Sequence, residues 1–363
     1  MLGLFTSKAA CRHSDTLHAH YPWAASPLIS SAPMRLISTT PLAVAVSRAG
    51  GLGFLGLGTD LSNFSLLLNE ATATFQSFPI PDTTPGILPI GVGFLCWGAD
   101  LSTAISVIES APLKPAAVWL YAPHEPKDLI AWTEGIRKAS NGKTDIWIQI
   151  GAVAMALDVA KSCRPDVLVI QGSDAGGHGL VQSSSIITLL PECADTLATE
   201  GFGNIPLLAT GGLVDGRGVA AALTLGASGV CMGTRFLASP EAVISDGYRN
   251  EVVEAKDGGA TTARTTVYDQ LRGTVGWPET YNARGVLNQS YRDHERGMSE
   301  EDNKKLYENA MKLGDQGWGE NGRMTTYAGT GVGLIHKVMP AGEILKEVRR
   351  DFRKSLLKAE SKL

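Results

Sequence analysis

Short runs of almost uniformly apolar residues alternate along this chain with longer stretches in which apolar residues recur every three or four positions. AAVWLY (116–121), DIWIQI (145–150) and DVLVI (166–170) lack the in-and-out alternation of a half-exposed strand. Each therefore reads as a strand buried on both faces. PLISSAPM (27–34), GLGFLGLG (51–58), PIGVGFL (89–95), IPLLATGG (205–212) and GVCMGTRF (229–236) read the same way, which makes eight. Helical stretches lie between them. PLAVAVSRAG (41–50) starts on Pro41 and stops at Gly50 and Gly51. Segments 61–78, 101–111, 126–140, 152–163, 185–201 and 215–227 continue the series.

Eight β/α units with fully buried strands predict a parallel sheet closed into a (β/α)8 TIM barrel over residues 27–236. An open doubly wound sheet would carry a dinucleotide fingerprint after its first strand, and the first turn here, SSAPMR, has none. Residues 1–26 read as a leading arm that ends in the Pro-broken YPWAASP. From about residue 240 the alternation stops, and 237–334 reads as a smaller second domain placed after the eighth strand. Within it, DHERGMSEEDNKKLYENAMKLGDQ (293–316) predicts one charged, exposed helix. AGEILKEVRRDFRKSLLKAE (341–360) carries Ile344, Leu345, Val348, Phe352 and Leu356 at helical spacing, so 335–363 is expected to return to the barrel as an amphipathic helix.

Composition narrows the function more than the fold. With 44% hydrophobic and 19% charged residues over 363 positions, the chain has the make-up of an ordinary globular protein. A net charge of −4 and the lack of a Lys/Arg run argue against a nucleic-acid surface, leaving small neutral or anionic ligands. Cys11, Cys96, Cys163, Cys193 and Cys231 are scattered, odd in number and without a CxxC pair, which points to a reducing compartment and no structural zinc. No run of apolar residues is long enough for a membrane helix. The final tripeptide Ser361-Lys362-Leu363 reads as a peroxisomal address, with the cytosol as the fallback. Macromolecular partners then reduce to the import receptor for that tripeptide and further copies of the chain.

The chemistry concentrates at QGSDAGGHG (171–179), which follows the sixth predicted strand. Gly176 and Gly177 permit close backbone approach, and His178 is able to exchange a proton near neutral pH. The plainer alternative is that His178 merely caps a loop. Barrel sites lie at the C-terminal strand ends, with phosphate often held after strands seven and eight. There the chain has ATGG (209–212) and MGT (232–234), whose glycines expose backbone N–H groups while Thr234 adds a hydroxyl. Gln149 ends the fifth strand and is able to point an amide the same way. No Walker motif or acidic metal cluster is present. A phosphate-bearing organic cofactor, a neutral amide and one His suggest redox chemistry on FMN.

APMR (32–35), SRAGGLGFLG (47–56), QGSDAGGHG (171–179), ATGG (209–212), GASGVCMGTRF (226–236) and AGTGVGL (328–334) resemble the signature blocks of the nitronate monooxygenases, formerly 2-nitropropane dioxygenases. YPWAASPLISSAPMR, VYDQLRGTVGWPETYNARG and TTYAGTGVGL resemble the fungal branch, and the likeness runs from about residue 21 to 350. The resemblance implies that Pro33, Met34 and Arg35 approach the flavin from the first strand end and that Gln149 and Gln171 face its ring. It further implies that Gly176 and Gly177 border the cofactor, and that Thr210, Gly211 and Gly212 with Met232, Gly233 and Thr234 hold its phosphate. His178 would be the catalytic base for oxidation of nitronates or nitroalkanes with O2 to carbonyl compounds and nitrite. Gly93 departs from the pattern, since many relatives have Asn in that block.

Trp277, Tyr281 and Tyr327 are candidates for the substrate side of the pocket, against the simpler role of packing a small domain. His124, His294 and His336 lack any ligand spacing and read as structural or surface residues. The same blocks also resemble NAD(P)H-dependent flavin reductases acting on quinone or enoyl substrates. A natural-product flavin oxidoreductase and a non-catalytic phosphate-binding barrel are the remaining alternatives.

Overall fold

The structure is a computed structural model and describes residues 17–319 and 321–362. Residues 1–16 of the expected arm, Cys11 among them, and Leu363 of the expected peroxisomal tripeptide lie outside the described residues. Ser361 and Lys362 are exposed beyond the last helix.

In chain order the first half comprises β1 (Leu28–Ser31), α1 (Thr40–Arg48), β2 (Phe54–Gly58), α2 (Phe64–Ser77), β3 (Ile87–Leu95), α3 (Leu101–Ser110), β4 (Lys114–Tyr121), α4 (Asp128–Ala139), β5 (Asp145–Ile150) and α5 (Val153–Cys163). It continues through β6 (Val167–Gln171), a short β7 (Gly177–Leu180), α6 (Ile186–Thr199), β8 (Leu207–Thr210), α7 (Gly216–Thr224) and β9 (Gly229–Met232). The eight long-series strands pair in parallel in the order β1-β9-β8-β6-β5-β4-β3-β2. A parallel bridge from Ser30 to Leu52 brings β1 and β2 together and closes the sheet as the expected TIM barrel.

Two apolar layers follow from residues alternating across each strand. Ile148, Leu168, Ile170 and Val230 pack outward against the helices. Phe54, Trp119, Trp147, Val169 and Leu208 fill the interior. Phe54 meets Trp119 and Trp147 with ring centroids 5.2 and 5.0 Å apart. The arm continues this inner layer through Leu17, Tyr21 and Trp23. Tyr21 donates to Asp145 at 2.6 Å and accepts from the Trp147 indole at 2.8 Å. Asp145 begins β5, so the arm seals the N-terminal end of the barrel and leaves the cavity to the C-terminal end.

The remainder comprises α8 (Thr234–Leu237), α9 (Asp246–Glu254), α10 (Gly258–Thr261), β10 (Thr262–Thr265), α11 (Val267–Arg272), β11 (Tyr281–Val286), α12 (Gln289–Glu295), α13 (Glu300–Met311) and α14 (Ala341–Glu360). The predicted eighth strand therefore stops at Met232, and Thr234 already starts a helical turn. The helix expected over 293–316 is interrupted. Gly297 takes a left-handed φ of +86° and Ser299 caps α13 through the Asp302 N–H. The glycine loop also differs from expectation, because residues 177–180 form an antiparallel strand in a separate sheet of order β10-β11-β7.

Helix α14 returns to the barrel and buries Ala341, Ile344, Leu345 and Val348. Phe352 is half-buried and Leu356 is exposed, so the expected apolar stripe runs out of partners before the helix ends. Arg349 fastens the helix by donating to the carbonyls of Ala49 at 2.9 Å and Gly50 at 2.6 Å. Gly216, the first residue of α7, allows the contact, since a Cβ there would lie 2.0 Å from the Phe352 nitrogen. Gly216→Ala is expected to cost about 1–3 kcal/mol by overpacking, read as a lower melting temperature. An unchanged one would contradict this packing.

Candidate functional site

A cavity of about 850 Å³ opens at the C-terminal ends of the barrel strands. Pro33, Met34, Arg35, Gln149, Gln171, Gly176, Gly177, His178, Thr210, Gly211, Gly212, Gly233 and Thr234 all line it. Met232 does not: its side chain belongs to the outer core between sheet and helices, and its inward-facing neighbour Cys231 reaches the cavity instead. Burial pushes the Cys231 thiol up to about 12, which leaves it a protonated, inert wall.

At the ends of β8 and β9, the backbone N–H groups of Gly211, Gly212 and Gly233 donate to no protein oxygen among the described residues. Gly211 and Gly212 have φ of +106° and +72°, and a Cβ on Gly211 would approach the Gly172 carbonyl oxygen to 2.8 Å. Glycine is thus required to turn these N–H groups inward. Thr234 accepts from the Gly329 N–H at 3.0 Å, and its hydroxyl proton remains for a ligand. Such a group of unpaired donors is suited to an anion.

The two glutamines serve differently. The Trp119 indole donates to Gln149 Oε1 at 2.9 Å, fixing the amide so that its NH2 is left to the cavity. Gln171 is held by the protein, its Nε2 donating to the His178 carbonyl at 3.0 Å and its Oε1 accepting from Tyr121 at 3.3 Å. Gly93 lines the cavity beside Pro33, and a Cβ there would come within 2.3 Å of the Pro33 Cβ. The proline ring fills the room a side chain at position 93 would need.

His178 sits on β7, opposite Ala283 of β11. Its Nε2 lies 2.9 Å from Asp269 Oδ2. Trp277 stacks on the imidazole with centroids 3.6 Å apart and planes within 5°. Asp269 Oδ1 accepts from Tyr327 at 2.9 Å and from Thr274 at 2.8 Å. Burial alone would raise the Asp269 carboxyl, but its bonds from His178, Thr274 and Tyr327 hold it below the ordinary value. Burial, reinforced by the Asp269 charge, pushes the Tyr327 phenol well above its usual range. The side of the cavity formed after the barrel adds Arg272, Lys304, Tyr307 and Glu308.

Trp277 and Tyr327 thus line the cavity, whereas Tyr281 is buried beside Tyr121 with centroids 5.4 Å apart. Neither His124, His294 nor His336 lines it. Asp269 was not singled out by the sequence. It lies in VYDQLRG, and no spacing rule connects it to a histidine 91 residues away. Among the described residues no cluster of His, Cys, Asp or Glu is arranged to hold a metal ion, and no helix is long and apolar enough to cross a membrane.

The nitronate monooxygenase family model matches residues 132–351, more than half of the chain. A nitronate monooxygenase of Metarhizium robertsii, npaC, is 49% identical over 336 residues, covering 92% of each chain. A nitronate monooxygenase of Neurospora crassa is 35% identical, covering 95% of this chain and 94% of its own. Among solved structures, FabK from Thermotoga maritima superposes with a TM-score of 0.70 at 23% identity, covering 97% of this chain and 99% of that one, a likeness of fold. The chain is therefore an oxidoreductase that belongs to the nitronate monooxygenase family.

Proposed function

We propose that this protein uses FMN to oxidise alkyl nitronates, or the nitroalkanes that yield them, with O2 to a carbonyl compound and nitrite. The observation that carries the reading is the convergence, in one cavity, of unpartnered N–H donors at two strand ends and an imidazole paired to a carboxylate. The donor set fits the group. Gly211, Gly212 and Gly233 with the hydroxyls of Thr210 and Thr234 would hold the phosphate, and Pro33, Met34, Arg35 and the Gln149 amide would border the ring system. The Met232 side chain would not reach the group, since it lies in the outer core. When bound, FMN supplies the electron acceptor that the protein side chains lack.

The protein's own part is to bind, orient and deprotonate. His178 is the base: it removes the proton α to the nitro group when a neutral nitroalkane enters, and a preformed nitronate needs no such step. Trp277 and Tyr327 wall the cavity on the same side and limit water around the imidazole. Residues 237–334 act as a substrate-side cap on the barrel, because they supply Trp277, Tyr327, Arg272 and Lys304.

His178→Ala is expected to retain flavin, to lose most turnover of neutral nitroalkanes, and to lose less on preformed nitronates. Equal retention of both activities would refute the base assignment. Gly233→Asp tests the cofactor cradle separately. A Cβ at Gly233 meets only Ala32 and Met34 atoms at 3.6 and 3.8 Å, so the side chain is sterically admitted while its charge opposes phosphate. FMN affinity, measured by fluorescence titration of the apoprotein, is expected to fall about tenfold or more, about 1.4 kcal/mol; undiminished affinity would remove the phosphate from this place.

A further inference from the structure

We propose that Asp269 is a positioning residue that fixes which nitrogen of His178 takes the substrate proton. The inference rests on His178 being the base and adds the group that sets its tautomer. Asp269 does not line the cavity. It stands on α11, 8% exposed, with Oδ2 toward the imidazole, and acts on the substrate through His178.

An ionised carboxylate only accepts hydrogen bonds. Since Asp269 Oδ2 is 2.9 Å from Nε2, Nε2 must carry the proton, and the neutral ring then keeps Nδ1 bare. Nδ1 has no hydrogen-bond partner among the described residues, so this is the atom left for an α proton. The carboxylate is itself anchored. Tyr327 and Thr274 both donate to Oδ1, which leaves Oδ2 to the imidazole. The Arg272 guanidinium lies 5.5 Å from the Tyr327 ring centroid and adds a cation near the phenol. Trp277 stacks on one face of the ring and β7 pairing holds its backbone, so neither ring tilt nor strand position is left free.

The proton balance is complete. The Cα–H bond breaks, its electron pair stays on the substrate as the nitronate, and the proton moves to Nδ1. The ring becomes an imidazolium whose Nε2–H still donates to Asp269, so the arriving charge meets a carboxylate already in place. An amide at 269 cannot do this. Asn offers both a donor and an acceptor, so the opposite tautomer, with Nδ1 protonated, becomes available and the imidazolium loses its counter-charge.

The test compares wild type, Asp269→Asn, Asp269→Glu and His178→Ala as flavin-loaded proteins. Nitroethane and preformed ethyl nitronate serve as substrates, and 15N-histidine NMR reports the ring. In wild type the neutral His178 signal is expected to show a bare Nδ1 and a protonated Nε2. In Asp269→Asn this pattern reverses or mixes, kcat on nitroethane falls about a hundredfold with KM little changed, and turnover of the nitronate stays within about threefold of wild type. Asp269→Glu, keeping the carboxylate, recovers part of the nitroethane rate. Wild-type tautomer and rate in Asp269→Asn, beside a disabled His178→Ala, would overturn the positioning role and leave the base reading intact. Equal loss on both substrates in Asp269→Asn and Asp269→Glu would overturn it as well, reducing Asp269 to a packing residue. Full nitroethane turnover by His178→Ala would instead fail the base reading itself, whatever Asp269 does to the ring.

Discussion

The antiparallel pairing of β7 with β11 is the constraint on which the site depends. A barrel strand end alone would leave the glycine loop of residues 171–179 free to move. Here the loop is drawn into a second sheet, with Ala283 opposite His178 and Arg284 opposite Gly177. Two arginines of that sheet hold the loop's carbonyls: Arg264 donates to Ala175 at 3.3 Å and Arg284 to Ser173 at 3.2 Å. Burial and the neighbouring Arg284 bring the Arg264 guanidinium down to about 10. Thr330 fixes Asp174 from the other side at 2.9 Å. Gly176 lets this happen, because a Cβ there would fall 2.4 Å from the Gly329 nitrogen.

The barrel and the region after it therefore share the work. The barrel contributes strand ends with unpaired donors and a Trp119-fixed amide, on a scaffold whose lower end is sealed by the arm. The region after β9 contributes the carboxylate, the stacked indole and the phenol that give His178 its surroundings. Strand-end loops of a parallel barrel are where chemistry is assembled from distant parts of the chain. Residues 178, 269, 277 and 327 meet only because β7 leaves the barrel to join β11.

Most of the barrel was legible because its signals are local. A mostly apolar run such as DIWIQI has one reading when helices flank it, and its predicted bounds coincide with β5. Glycines at two successive strand ends, Gly211 and Gly212 and then Gly233, marked the anion-suited donors for the same reason. What escaped the sequence was set by tertiary contact. The strand at 177–180 has glycine at two of its four positions and no β-forming pattern of its own; pairing with β11 makes it a strand. Met232 looked equivalent to its glycine neighbour until strand alternation turned its side chain outward. Asp269 carried no local mark, since it lies on α11 and its partner His178 on β7, 91 residues away.

The proposed activity turns on whether a nitronate alone reduces the bound cofactor. The most direct measurement is anaerobic mixing of the flavin-loaded protein with propyl nitronate or with NADH while the visible flavin absorbance is followed. The nitronate is predicted to change that absorbance without any nicotinamide present, and NADH to be unnecessary. Rapid bleaching by NADH with no response to the nitronate would contradict the account and assign the cavity to a reductase.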